Sequence, residues 1–322
     1  MEKGLVSIIV AVYNVEKYIK RGINSLQNQT YENLQIILID DCSSDSSWDT
    51  CRLLAETDRR IELYKMPTNR GIAAVRNYGI TLSRGEFIGF FDPDDYVDND
   101  FILTLYNAAI GNNTKISVCN AYRQDEYGIE YTDDTGETMN ISPDELFKST
   151  MLHCSFGVWN KLWHHSLFQN FFFNEKIKSG SDLDTYKLIF TVKLITYVGK
   201  AKYHYLYNSA SVSHKNNISF RLCRLEIIDE MIEYIKKNKP HLLNYAYFLS
   251  CRTRRNFIIT LIHSRERNQE LINKEINITR KSYHECKHLF SLIEKISFRI
   301  LFSLPTFLPH FMLIIQKLRL NH

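Results

Sequence analysis

Two apolar runs in this chain end abruptly in clustered acids. Phe87-Ile88-Gly89-Phe90-Phe91 leads straight into Asp92-Pro93-Asp94-Asp95, and residues 34–39 lead into Asp40-Asp41. A short run that apolar reads as a buried strand, so both acidic groups fall at strand carboxyl ends. In an open α/β sheet that rim is where ligands bind. Helical spacing fills the segments between. Tyr18, Ile19, Ile23 and Leu26 share one face behind a capping Asn14, Trp48, Leu53 and Leu54 follow Ser43-Ser44, and residues 72–82 make a third helix. Strands are expected at residues 5–12, 34–39, 61–64 and 86–91. The alternation predicts an α/β fold with a mostly parallel central sheet and right-handed crossovers.

After residue 115 the rhythm loosens. A strand is expected at 116–122, a hairpin or loop at 124–140, a helix start at Ser142-Pro143-Asp144-Glu145, and an extended aromatic stretch at 197–207. From residue 218 onward the pattern is helical. A length of 322 residues allows one large or two smaller domains. The expected division is a catalytic-type α/β domain over 1–217 and a helical region over 218–322. Charge divides the same way, because residues 221–322 carry 18 Lys and Arg against 9 Asp and Glu. The rest of the chain is net acidic, so the two parts face different partners. Seven scattered cysteines without a Cys-x-x-Cys spacing argue for a reducing compartment and against a disulfide frame or structural zinc. With no signal-peptide pattern and no long apolar span, a cytoplasmic location is expected.

The chemistry follows from residue type. Asp92, Asp94 and Asp95 repel one another unless a cation lies among them, and hard carboxylate oxygens suit Mg²⁺ or Mn²⁺. An acidic turn feeding a helix at Asp98-Asn99-Asp100 is the plainer alternative. Asp41 could accept hydrogen bonds from a base or ribose, or the Asp40-Asp41 pair could simply precede a helix cap. Asn69-Arg70-Gly71 permits a tight backbone, and Arg76 on the following helix offers a fork that meets phosphate or carboxylate. The aromatic cluster of Trp159, Trp163, Phe168, Phe171, Phe172 and Phe173 reads as core. His153, His164, His165 and His204 read as packing or surface residues, as does His214, for which a contact to metal or phosphate is the alternative.

Taken in order, Val6–Asn14, Ile39-Asp40-Asp41-Cys42-Ser43-Ser44-Asp45, Asn69…Arg76-Asn77 and Phe91-Asp92-Pro93-Asp94-Asp95 resemble the successive signatures of family 2 glycosyltransferases. The resemblance covers residues 5–215. It implies a GT-A fold and an inverting transfer of one sugar from a nucleotide-sugar donor, a UDP-sugar, to a glycan or lipid-linked acceptor. Surface polysaccharide or glycolipid synthesis is the setting it implies. By the same resemblance Tyr13 and Asp41 contact the nucleotide base, Arg76 lies on the nucleotide side, and Asp92, Asp94 and Asp95 hold the divalent ion and donor diphosphate. Trp159 and Lys161 match an acceptor-side segment, and Asp182 matches the catalytic base, with Asp184 the neighbouring alternative. The stretch Tyr203–His214, ending Ser211-Val212-Ser213-His214, matches the family's closing segment. The chain departs from the pattern at Ser181 (an acid in the family), Cys42 (Gly) and Ala11 (Pro or a small polar residue). It has no Gln-x-x-Arg-Trp, so the resemblance is to non-processive members.

The basic tail adds a partner. Residues 296–320 are apolar, broken by Pro305 and Pro309, and flanked by Arg299, Lys317 and Arg319. An interfacial helix on an anionic membrane surface fits this pattern, which places the protein peripherally at the inner face of the cell membrane. Packing on the catalytic domain or on a second subunit, as a homo-oligomer, is the alternative. No nucleic-acid module is visible, so no nucleic-acid partner is expected. Two rival functions remain at this point: a nucleotidyltransferase, which would want a Gly- and Arg-rich loop after the first strand, and a non-catalytic nucleotide-sugar-binding module.

Overall fold

A computed structural model describes residues 1–320 apart from 125–127, 133, 154–156, 177–180, 209–217 and 265–267, with side chains through residue 315. The chain divides into two compact units, Met1–Phe147 with Phe156–Lys215, and Lys148–Ser155 with Asn216–His322.

The first unit opens with β1 (Glu2–Val12), α1 (Ile19–Gln27), β2 (Leu34–Asp40), α2 (Ser47–Thr57), β3 (Ile61–Lys65), α3 (Ile72–Leu82) and β4 (Gly85–Phe91). It continues with β5 (Tyr96–Val97), α4 (Phe101–Gly111), β6 (Ile116–Gln124), β7 (Glu130–Tyr131), β8 (Thr138–Ile141) and α5 (Pro143–His153), whose last turns belong to the second unit. Then come β9 (Lys161–His164), α6 (Tyr186–Ile189) and β10 (Ile195–Tyr205).

The sheet order is β3-β2-β1-β4-β9-β6-β10-β5, with β7 on β6 and β8 on β10. Neighbours β3, β2, β1 and β4 are parallel, as are β6 and β10. β9 runs antiparallel between β4 and β6. Sequence periodicity missed it, since Lys161–His164 is four residues long and carries a polar residue at each end. Its pairing partners, not its own pattern, make it a strand.

Strand alternation separates two cores. Val6, Ile8, Val10 and Val12 of β1 face α1, α2 and α4, whereas Ile9 faces α3 and the Phe168–Phe173 cluster. Each face of the sheet is thereby dry, which explains the near-continuous apolar runs. Trp163, Phe168, Phe171 and Phe173 are core residues, but Phe172 is 61% exposed and stands outside that expectation.

One helix start differs from the reading of the sequence. Asn14 caps nothing: its backbone is left-handed (φ 51°), and helix α1 begins only at Ile19. The Asn14 Oδ1 instead accepts the Ser44 N–H at 2.9 Å. Helix α2 (Ser47–Thr57) follows Ser43-Ser44 as read, and Asp45 Oδ1 accepts the Ser47 N–H at 3.0 Å. Asn14, and Asp45 through an Oδ2 that accepts the Glu16 N–H at 3.1 Å, tie the loops after β1 and β2 together at the sheet's carboxyl rim.

The second unit holds α7 (Ile218–Asn238), α8 (Leu243–His263), α9 (Gln269–Cys286), α10 (Leu292–Ser303) and α11 (Leu308–Leu320). Its interior includes Arg254, 1% exposed, paired with Glu275 and Asp229 on the flanking helices. A buried guanidinium needs such partners, because removing one leaves an uncompensated charge.

Candidate active site

Parallel strands bring their carboxyl ends to one rim, and the loops there carry the acids. Tyr13 follows β1 and is 45% exposed. The Asp41 N–H donates to the Val12 carbonyl at 2.8 Å, so Tyr13 and Asp41 lie on adjacent loops. The Asp41 carboxylate accepts the N–H groups of Arg70 (2.8 Å) and Gly71 (2.7 Å). That bond pair fixes the tight turn in which Gly71 takes a positive φ of 85°, immediately before α3. Cys42, where the family pattern has Gly, also sits at positive φ (61°). The side chain costs about 1 kcal/mol there, and the surrounding Asn14, Ser43 and Ser44 bonds hold the loop in place regardless.

Arg76 lies one turn into α3 and is 2% exposed. Its Nη1 pairs with Asp182, and its Nη2 stands 3.6 Å from Asp92 Oδ1. The rings of Phe90 and Phe173 flank the guanidinium, at 5.8 and 5.6 Å. One buried cation thus joins two carboxylates separated by 90 residues of chain. Burial pushes the Asp92 carboxyl up to about 7, with Asp182 and Asp94 adding to the rise and Arg76 opposing it. A further positive charge beside it would favour its ionised form.

The three acids of the turn after β4 divide their work. Asp92 faces Arg76. Asp94 accepts from Asn208 Nδ2 at 3.1 Å, and its backbone carbonyl accepts from Arg21 at 3.0 Å. Asp95, expected to be a metal ligand, is turned inward and is 1% exposed. Its two oxygens accept the Tyr203 hydroxyl (2.8 Å) and the Leu206 N–H (2.9 Å). Burial, with Asp94 and Asp92 nearby, lifts its pKa well above the carboxylate range. Among the described residues no three His, Cys, Asp or Glu side chains lie close enough to hold an ion unaided. The remaining pair, Asp92 and Asp94, suits a hard divalent ion that takes one or two protein carboxylates and completes its shell with substrate phosphate and water. The residues therefore fit a metal held jointly with a diphosphate.

The acceptor-side expectation changes most. Trp159 is 6% exposed and stacks on Tyr203 (4.4 Å, 29°) and Tyr205 (5.6 Å, 22°). Lys161 is 5% exposed, and its Nζ donates to the Gly157 carbonyl (2.6 Å) and Asn160 Oδ1 (2.7 Å). Burial lowers its pKa to about 8. Both side chains support the 157–161 segment from within and do not form its surface. Asp184, the alternative base, is 1% exposed and pairs with Lys187 at 2.8 Å. Only Asp182 of the two reaches Arg76. His204 is stacked between Tyr96 and Tyr122 and bonded to Asp98 and Glu130. His214 and the rest of residues 211–214 lie outside the described residues, as does Gly180. Tyr203 and Asn208 fall within the stretch matched to the family's closing segment, but sequence reasoning gave them no role; they hold the acidic turn from more than 100 residues away. The match marked the stretch, but these contacts exist only once the strand carrying it pairs beside the turn.

Comparison with known proteins agrees with this fold. The model of "Glycosyl transferase family 2" matches residues 7–181. A putative glycosyltransferase, EpsH, of Bacillus subtilis (strain 168) is 33% identical over 223 residues, covering 66% of this chain and 63% of the relative. The chain therefore spans somewhat under two thirds of that relative's length. The crystal structure of S. aureus TarS 1-349 in complex with UDP-GlcNAc superposes with a TM-score of 0.62 at 17% identity, covering 88% of this chain and 90% of that one. The mannosyltransferase PcManGT from Pyrobaculum calidifontis, in complex with GDP-Man and Mn²⁺, gives a TM-score of 0.57 at 12% identity, covering 96% and 84%. At those identities the two structures establish the GT-A fold alone.

Proposed function

The chain belongs to glycosyl transferase family 2, and from that premise we propose that it moves one sugar, with inversion, from a UDP-sugar to a hydroxyl of a glycan or lipid-linked acceptor. The observation that carries the reading is the bridge from Asp92 through Arg76 to Asp182 at the rim shared by Tyr13 and Asp41. Tyr13 and Asp41 flank the nucleotide base. Asp92 and Asp94 hold a Mn²⁺ or Mg²⁺ ion together with the donor diphosphate. When bound, that ion stabilises the charge that grows on the leaving diphosphate.

The chain's own residues do the rest. Arg76 orients Asp182 through one arm of its fork and steadies Asp92 through the other. Asp182 accepts the proton of the attacking hydroxyl, which enters opposite the departing phosphate. Trp159 and Lys161 keep the 157–161 segment in the shape against which an acceptor rests. Asp95 shapes the turn and binds no ion. Purified protein incubated with a panel of nucleotide sugars should release nucleoside diphosphate, faster with Mn²⁺ than with chelator. Release of pyrophosphate would assign the fold to nucleotidyl transfer, and release of neither from any donor would leave only a binding module.

The second unit supplies a membrane contact in this reading. No helix among the described residues is long and apolar enough to cross a membrane. Yet Leu292, Ile296, Leu304, Phe307, Leu313 and Ile314 are each at least 37% exposed along α10, α11 and the turn between them. From Lys287 onward the sequence carries five Lys and Arg and a single acid, Glu294. Exposed apolar side chains among net positive charge match an anionic lipid surface. The protein then works peripherally, at the cytoplasmic face where lipid-linked acceptors reside. Wild type should sediment with vesicles containing phosphatidylglycerol and not with phosphatidylcholine alone, and Leu304→Glu with Phe307→Glu should abolish sedimentation. Unaltered sedimentation of the double variant, or a dimer that it dissociates, would assign the face elsewhere.

A further inference from the structure

We infer that Tyr203 is the positioning residue of the Asp92–Asp95 turn, and that it couples this turn to the segment around Trp159. The inference rests on the reading of Asp92 and Asp94 as the ion- and donor-binding pair. The Tyr203 side chain is fully buried in β10. Its hydroxyl lies between two members of the turn, accepting the Asp92 N–H at 3.3 Å and donating to Asp95 Oδ2 at 2.8 Å. One oxygen atom therefore fixes the first and last acids relative to each other.

The contacts around that hydroxyl form a clasp. β10 runs antiparallel to β5, which directly follows the turn, with Tyr203 opposite Val97. Beyond Tyr203 the same segment delivers the Leu206 N–H to Asp95 and the Asn208 amide to Asp94. From the opposite side α1 closes in. A Cβ added at Gly22 would come within 2.7 Å of the Pro93 carbonyl, so the turn has almost no room to shift. The Tyr203 ring also stacks on Trp159 at 4.4 Å and packs on Phe91 and Phe101, each at 5.9 Å. Displacement of the 157–161 segment would move that ring and, through the hydroxyl, the acids. Partners of this kind, one step removed from an ion's ligands, set its affinity by fixing ligand orientation.

The test uses the full chain and calorimetric titration of Mn²⁺ in the presence of UDP, alongside thermal unfolding. Tyr203→Phe keeps the stacked ring and removes the hydroxyl. We expect it to weaken Mn²⁺ affinity by about 10-fold or more, while UDP-sugar turnover at saturating Mn²⁺ is largely retained. Asn208→Ala should shift affinity in the same direction through Asp94. Phe101→Leu is the control: it loosens packing on the same ring without touching an acid, so its melting temperature should fall while its Mn²⁺ affinity holds. Wild-type affinity in Tyr203→Phe would overturn the inference, as would an equal loss in Phe101→Leu. If the wild type itself bound no Mn²⁺ with UDP, the donor-site reading would fall first and this inference with it.

Discussion

Asp182→Asn is expected to slow sugar transfer by about 10²- to 10⁴-fold, the usual worth of a positioned proton acceptor. Asparagine keeps the shape of aspartate and one oxygen for the Arg76 Nη1, so the ion network loses little geometry. What it loses is the ability to take the acceptor's proton. Donor affinity should therefore stay within about threefold, because the donor does not depend on the base in its ground state. Initial rates of nucleoside-diphosphate release, with UDP titrated in parallel, separate the two effects. Asp184→Asn is the matched comparison, since Asp184 is buried against Lys187 and out of Arg76's reach. Full turnover in Asp182→Asn together with loss in Asp184→Asn would transfer the role to Asp184.

Arg76→Ala carries the largest expected cost in stability. The guanidinium is the shared partner of Asp92 and Asp182, and it lies between two phenylalanine rings. Its removal leaves two carboxylates facing each other across a partly dry space, which costs about 3 kcal/mol for a broken buried pair. A fall in melting temperature of roughly 5 °C or more should follow, and transfer should be lost as well. Arg76→Lys restores one charge without the fork. It should recover most of the stability and little of the activity, because a single ammonium cannot face both acids at once. An alanine variant that melts with the wild type would show that the bridge contributes nothing to the fold.

How much of this was legible in the sequence depends on the distance between the residues involved. Asp92 and Asp94 announce themselves, since an apolar run ending in acids is a local pattern that strand geometry turns into a rim. Arg76 was legible as a fork on a helix, but its tie to Asp182 was not, because that contact exists only after the sheet closes. Asp95 illustrates the limit. Beside Asp92 and Asp94 in sequence it looks like a third member of one group, yet it turns inward to Tyr203 and Leu206. Trp159 and Lys161 were expected to face an acceptor, and both side chains are buried. Burial is decided by β9, a four-residue strand with no readable period of its own. Asn14 shows the same thing in miniature: a favourable cap residue by type, it was claimed by a loop from the neighbouring strand.

The most direct test is calorimetric titration of wild-type protein with UDP, with and without Mn²⁺. The geometry leaves two carboxylates that need a diphosphate to complete an ion's shell, so saturable UDP binding should appear with Mn²⁺ and largely vanish with chelator. Binding that ignores the metal, or no binding in either condition, would contradict the account.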